Sequence, residues 1–159
     1  MAPNMSLPAA LSPALSGREA IIDALYRVMT AMDTNDVSLL DSAHTEDARW
    51  EVGERRAEGL KAIHSDFYER TISRLDTTHY ATNIRVNVAD GEREASLSAL
   101  YLAHHFQGGT GREPDAARYT MGGLYYLELV KDDVDGLWKI KLFRMKAIWA
   151  EGDRSVMGH

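Results

Sequence analysis

Three groups that can move or stabilise protons lie far apart in this chain, at positions from which they could meet. His79 begins an extended stretch, and the pair His104-His105 lies near the far end of the next one. If the two stretches pair antiparallel through the turn at 89–92, a histidine from each reaches the same end of the sheet. Asp33 closes the first predicted helix and could reach that end too. Imidazoles beside a carboxylate are suited to proton transfer, so the sequence predicts an acid–base enzyme without a cofactor.

The adjacent histidines should point to opposite faces of their strand. Only one of His104 and His105 can therefore face a cavity, unless a bulge intervenes. Ala99, Tyr101 and Ala103 share the face of His105, and small residues beside a tyrosine leave room for a ligand. This favours His105 on the inside, whereas the opposite register would place His104 there. Two histidines that face apart cannot share one ion, and no three or four convergent ligands are evident, so we predict no metal site.

Polar and aromatic residues near the histidines are expected to line a substrate pocket. Asn83 lies four residues after His79 on the same predicted strand and should share its face. In the third long strand, Gly123 leaves space between residues that alternate toward one side. The predicted substrate-binding residues are Trp50, Asn83, Tyr101, Tyr119, Met121, Tyr125 and Trp149.

Each of these residues also has a purely structural interpretation. A histidine at a strand end is often half-buried without a catalytic role, and a stripe of aromatic residues and methionine commonly belongs to the core. An aspartate after a helix commonly caps the next helix, although Asp36 is equally placed for that role and leaves Asp33 available. A structural role does not require His79, one of the adjacent histidines and Asp33 to converge, so their convergence would favour a functional site.

Hydrophobic periodicity predicts the elements that would position these residues. Apolar residues recur at helical spacing after Ser16, where Glu19 completes a capping box, and two shorter helices and a short strand at 45–52 follow. From Thr77 the period becomes that of extended chain, with turn residues between the segments. The four long strands are predicted at 78–88, 95–106, 118–130 and 137–149.

These elements form an α+β layout, in which three N-terminal helices pack on a curved antiparallel sheet to give a cone-shaped barrel. Such a cone encloses an apolar pocket at its wide end. Three of the four prolines lie in residues 1–15, which are expected to form a flexible arm. Residues 16–153 are expected to form a single domain, followed by a tail at 154–159.

The composition excludes several classes of protein. The chain has 159 residues, no cysteine and a formal net charge of −6, with both signs mixed along it. Nucleic-acid binding is not expected, because phosphate contacts need clustered Lys and Arg. The absence of cysteine excludes disulfides and thiolate chemistry. No apolar run approaches the roughly 20 residues that span a bilayer, and no signal peptide is evident. We therefore expect a cytoplasmic protein that binds neither membrane nor nucleic acid.

From Gly17 to Asp153 the chain resembles the SnoaL-like branch of the nuclear-transport-factor-2-like superfamily. Members are small cone-shaped α+β proteins, often dimers, and several are cyclases, dehydratases or isomerases of secondary metabolism. The resemblance to scytalone dehydratase places its catalytic aspartate on Asp33 and its histidines on His79 and on His104 or His105. Its pocket tyrosine falls at Trp50. The segments that resemble a fungal subgroup are 32–36, 76–79, 103–106, 119–122, 137–140 and 149–153, together with Asn83.

The residues and the resemblance together predict a cofactor-independent isomerase, forming a homodimer. Its expected substrate is a polyketide-derived, polycyclic intermediate of xanthone type, since the chain looks like fungal members that isomerise tetrahydroxanthones and meroterpenoids. A dehydratase or an aldol-type polyketide cyclase could use the same residues, and only the dehydratase would release water. The other alternative is a domain without catalysis that binds a ligand or forms heteromers, since this fold also serves that purpose.

Overall fold

The computed structural model describes residues 5–158, which fold into helices packed on one six-stranded sheet. The predicted α+β fold with a curved sheet is confirmed. The helices are α1 (Gly17–Thr34), α2 (Val37–Ser42) and α3 (Leu60–Ile63). The strands are β1 (His44–Val52), β2 (Arg55–Glu58), β3 (Leu75–Val88), β4 (Glu94–Gln107), β5 (Arg118–Lys131) and β6 (Trp138–Gly152).

The sheet is open and has the order β2-β1-β6-β5-β4-β3. Strands β3 to β6 form the predicted antiparallel meander, and their length allows side chains from both ends of the fold to share one face. Two features differ from the prediction. Strand β1 pairs parallel with β6, and the polar strand β2 extends the edge beside β1. Neither feature has a periodic apolar pattern that would have indicated it.

Helix α1 is amphipathic and ends where the site begins. Asn35 adopts a left-handed conformation with φ 54°, and its N–H closes the helix on the Ala31 carbonyl. Asp36 then caps α2 by accepting the Leu39 N–H at 3.0 Å. Asp33 is thereby left in the last turn of α1, facing β3. The stripe that α1 buries against the sheet consists of Ile21, Leu25, Val28 and Met32.

The chain outside the predicted domain contacts the fold at both ends. At the N-terminal side, Ser6 is buried and its hydroxyl donates to the Asp36 carboxylate. After β6, the short 3₁₀ helix Arg154–Met157 packs near β4 and β5, with Val156 only 3% exposed. Within residues 5–158, none of the helices combines the length and apolarity needed to cross a membrane.

Candidate active site

Asp33 and His79 form a hydrogen-bonded pair between the last turn of α1 and the start of β3. Asp33 Oδ1 lies 2.7 Å from His79 Nδ1, and Oδ2 accepts the backbone N–H of His79 at 2.8 Å. Thr77, two residues earlier on the same face, donates its hydroxyl to Oδ1 at 2.8 Å. An ionised carboxylate only accepts hydrogen bonds, so it selects the His79 tautomer with its proton on Nδ1. The lone pair of Nε2 is therefore available to a ligand.

The β3–β4 register places one small residue opposite His79 and two polar rings beside it. His79 pairs with Ala103, so Tyr101 and His105 occupy the diagonal positions on the same face. The His79 and His105 rings stand edge to face, with centroids 5.6 Å apart and an interplanar angle of 84°. The Ala103 methyl group leaves the space between these rings open. A ligand atom above it would be flanked by both imidazoles and the Tyr101 ring.

His105 differs from His79 in its burial and its partner. Only 3% of its surface is exposed, and Nδ1 donates to the Tyr119 carbonyl at 3.0 Å. Burial lowers the pKa of His105 to about 4, although the bond to this carbonyl opposes part of the shift. Near neutral pH, His105 is therefore uncharged and its Nε2 can accept a hydrogen bond. His79 is the candidate base because its Nδ1 is hydrogen-bonded to the Asp33 carboxylate, which would stabilise a positive charge on the ring.

The two histidines line an apolar cavity on the concave side of the sheet. The cavity has about 650 Å³ of empty space including its opening to solvent. Trp50 forms one wall and stacks on Phe143 with ring centroids 4.8 Å apart. Its indole N–H donates to His44 Nε2 at 3.0 Å, and His44 Nδ1 donates to the Leu40 carbonyl at 2.8 Å. Trp50 therefore offers the cavity its ring rather than its N–H group.

Two buried hydroxyl groups at the cavity have no hydrogen-bond partner among the described residues, Tyr101 Oη and Thr71 Oγ1. Tyr101 stacks on Tyr125 with centroids 4.5 Å apart, and Gly123 leaves space for the Tyr101 ring. Burial raises the pKa of Tyr101 to about 12 and also raises the pKa of Tyr125, so both phenols keep their protons near neutral pH. An unpaired buried hydroxyl lowers the free energy of unfolding by about 1–3 kcal/mol. A ligand oxygen would remove this cost.

Two buried neutral histidines make stability depend on pH. Burial lowers the pKa of both His44 and His105 from 6.5 to about 4. As pH falls through 6.5, the unfolded chain binds protons that the folded chain does not bind until about pH 4. We expect the free energy of unfolding to fall in this window by about 1.4 kcal/mol per pH unit for each histidine.

Urea denaturation at a series of pH values measures this effect. Replacing His105 by asparagine removes one of the two titrating groups and should reduce the slope by about half. A free energy of unfolding that does not change between about pH 7 and about pH 5 would contradict the prediction.

Three residues predicted for the site lie away from the cavity. His104 points to the convex face of the sheet, as strand alternation requires once His105 faces inward, and its Nδ1 lies 3.0 Å from Thr120 Oγ1. Asn83 is exposed with φ 54°, because an irregularity between Thr82 and Arg85 interrupts the alternation. Trp149 is 47% exposed.

The position of Trp149 follows from a second irregularity. Gly122 pairs with Trp149 whereas Gly123 pairs with Ala147, so β6 has one extra residue at this point. The Trp149 ring lies where a side chain at Gly122 would be, on the side of the sheet opposite Tyr125. The structure thus places Trp149 outside the cavity. Of the remaining predicted residues, Tyr119 lies at the mouth, whereas Trp50, His79, Tyr101, His105, Met121 and Tyr125 line the interior.

Several residues of the site were not predicted from the sequence. Thr77 was detectable, because it precedes His79 by two residues and shares its face. Thr71, Arg55 and Met157 lie in irregular segments or short elements without a periodic signal, although all three line the cavity. Within residues 5–158, no three His, Asp or Glu side chains are grouped so that they could hold a metal ion.

Comparison with known proteins identifies the family of this chain. The model of the SnoaL-like domain family matches residues 13–144. The chain belongs to the SnoaL-like family. It is 47% identical over 153 residues to terrestric acid biosynthesis cluster protein E of Penicillium crustosum, covering 96% of this chain and 97% of that protein. Family and relative together support an enzyme that processes small molecules.

Several solved structures share the fold. A candidate scytalone dehydratase from Novosphingobium aromaticivorans is 24% identical with a TM-score of 0.72, covering 86% of this chain and 87% of that one. A nuclear transport factor 2-like superfamily protein from Salmonella enterica is 13% identical with a TM-score of 0.69. The match covers 82% of this chain and 89% of that one. At these identities the likeness concerns the fold alone.

Proposed function

We propose that this SnoaL-like protein is a cofactor-independent isomerase acting on an oxygenated, polyketide-derived polycyclic compound of xanthone type. The observation that carries the proposal is the Asp33–His79 pair at an otherwise apolar cavity, with Nδ1 of the imidazole 2.7 Å from the carboxylate. This arrangement gives the site a base, Nε2 of His79. The name of the Penicillium relative refers to a biosynthesis cluster, which supports a role in secondary metabolism.

The first step is removal of a proton from a carbon next to a carbonyl group. Nε2 of His79 takes the proton, the electron pair of the C–H bond moves to the carbonyl oxygen, and an enolate forms. Asp33 stabilises the imidazolium through the Nδ1 hydrogen bond. Tyr101, whose hydroxyl has no partner among residues 5–158, donates a hydrogen bond to the enolate oxygen.

The second step returns the same proton at a different atom. The substrate enolate extends over several carbons, and the imidazolium of His79 protonates one of the others, which regenerates the neutral base. His105 is uncharged near neutral pH, so it accepts a hydrogen bond from a substrate hydroxyl instead of supplying the proton. Reactant and product have the same composition, and the step needs neither an oxidant nor a reductant.

The homodimer and the cytoplasmic location remain predictions.

Disruption of the encoding gene in its native organism tests this proposal. The disrupted strain should accumulate an intermediate, and the purified protein should convert that intermediate into a product of identical mass. Loss of one water would instead indicate the dehydratase. In deuterated water, the product should carry deuterium at the protonated carbon, to the extent that the His79 proton exchanges with solvent. Failure of the purified protein to convert the accumulated compound would overturn the proposal.

A further inference from the structure

An outer chamber adjoins the mouth of the cavity and continues from it. The two spaces share Val52, Arg55, Met121, Met145 and Met157 as lining residues. The outer chamber has about 980 Å³ of empty space including open solvent. Its charged or polar lining residues are Glu54, Arg55, Tyr119 and Arg154. A ligand longer than the cavity would extend into this chamber.

Arg55 is fixed at the boundary between the two spaces. Its guanidinium carbon lies 4.4 Å from the centroid of the Phe67 ring, which is itself buried and packed against Trp50. Nη2 donates to the Asp66 carbonyl at 2.5 Å. A guanidinium has five N–H donors, so four are left for other acceptors. Stacking and this single bond hold the charge in place without neutralising it.

Arg154 approaches the same chamber from the C-terminal 3₁₀ helix. The helix is anchored by the buried Val156, and Met157 lines both spaces. Asp153 caps the helix by accepting the N–H and hydroxyl of Ser155 at 2.9 and 2.6 Å, so its carboxylate is engaged there. Within residues 5–158, neither Arg154 nor Arg55 forms an ion pair with a carboxylate.

The charge of the chamber is opposite in sign to that of the whole chain. Arg55 and Arg154 contribute two positive charges against one negative charge from Glu54, whereas the chain has a formal net charge of −6. A positive region in an acidic protein attracts anions and repels cations. Two planar guanidinium groups also suit the geometry of a carboxylate better than ammonium groups would.

From this arrangement we infer that the ligand is an organic acid with a ring body in the cavity and an ionised oxygen group, such as a carboxylate, between Arg55 and Arg154. That this ligand is the substrate rests on the proposed function, and the inference then narrows the substrate to an acidic compound. The arginine pair would hold the anionic end at the mouth. The ring atoms would then lie deeper, beside His79, where the proton is moved.

Two fluorescent probes with the same ring body test the site without turnover. The anionic probe is 8-anilinonaphthalene-1-sulfonate, and the neutral one is N-phenyl-1-naphthylamine. We expect Arg55→Gln and Arg154→Gln each to weaken binding of the sulfonate by about fivefold, the upper range for an exposed ion pair. Binding of the neutral probe should change by less than about twofold, because the apolar cavity is intact. Added salt should weaken binding of the sulfonate probe and leave binding of the neutral probe unchanged.

Arg56→Gln is the matched control. Arg56 is exposed on the same strand and donates to the Gly53 and Arg55 carbonyls at 2.8 and 3.0 Å, but it lines neither space. The inference would be overturned if the Arg55 and Arg154 variants lost binding of both probes equally. It would also be overturned if they bound the sulfonate as the wild-type protein does. A His79→Gln variant that keeps full turnover, combined with selective loss of sulfonate binding in the two arginine variants, would instead support the anion site and overturn the isomerase.

Discussion

Replacing His79 by glutamine is expected to lower turnover of the accumulating intermediate by about 100- to 10,000-fold, the usual contribution of a positioned general base. Glutamine is similar in length and can hydrogen-bond to Asp33, but it cannot take a proton from carbon. Initial rates at saturating and limiting substrate measure the effect. The loss should appear mainly in kcat, because the ring and hydroxyl contacts that bind the substrate remain.

The Asp33→Asn variant tests the other half of the pair. Asparagine keeps the shape of the side chain and removes the charge that stabilises the imidazolium, so a loss of similar order is expected. Initial rates at saturating and limiting substrate measure this loss, as for the His79 variant. An Asp33→Asn variant with the turnover of the wild-type protein would contradict the role of Asp33.

His104→Gln is the matched control for His79→Gln. His104 is the neighbour of His105 in sequence, but its ring lies on the convex face beside Tyr80, with centroids 6.4 Å apart. Its replacement should leave turnover within about threefold of the wild-type value, the range expected of a surface substitution. An inactive His104 variant together with an active His79 variant would exclude the proposed site.

Replacing Arg27 by methionine is expected to lower the free energy of unfolding by about 3 kcal/mol. Arg27 is only 4% exposed and pairs with Asp23 at 3.0 Å on the same helix. Its guanidinium also donates to the Ser42 and Trp138 carbonyls, both at 2.5 Å. Methionine fills much of the volume but leaves Asp23 and the two carbonyls without their donor. Urea denaturation at neutral pH measures the loss.

Arg18→Met provides the comparison on the same helix. Arg18 is exposed and makes one long hydrogen bond, 3.4 Å to the Val86 carbonyl. Its replacement should change the free energy of unfolding by no more than about 0.5 kcal/mol. If both variants lost the same stability, the buried network of Arg27 would not be the cause. Because Arg27 ties α1 to α2 and β6, its loss should also loosen the helix that carries Asp33.

The amino-acid sequence by itself determined the elements and the faces that build most of this site. Helical spacing defined α1, and alternating apolar residues defined the long strands that bring His79 and His105 together. Local rules sufficed there, because periodicity and turn chemistry act over a few residues. The same rules left open which of the adjacent histidines faces the cavity. Register decided that question, and register depends on which face the whole sheet buries.

Only the tertiary structure decided the details that alternation cannot describe. The irregularities in β3 and β6 turn Asn83 and Trp149 away from the cavity, since one extra residue reverses the face of everything beyond it. His44 begins β1 and is buried against Trp50, a contact that no local pattern indicates. The parallel β1–β6 pairing joins residues that are far apart in the chain, such as Trp50 and Phe143. Such contacts depend on the complete assembly, because no local pattern specifies a partner that far along the chain.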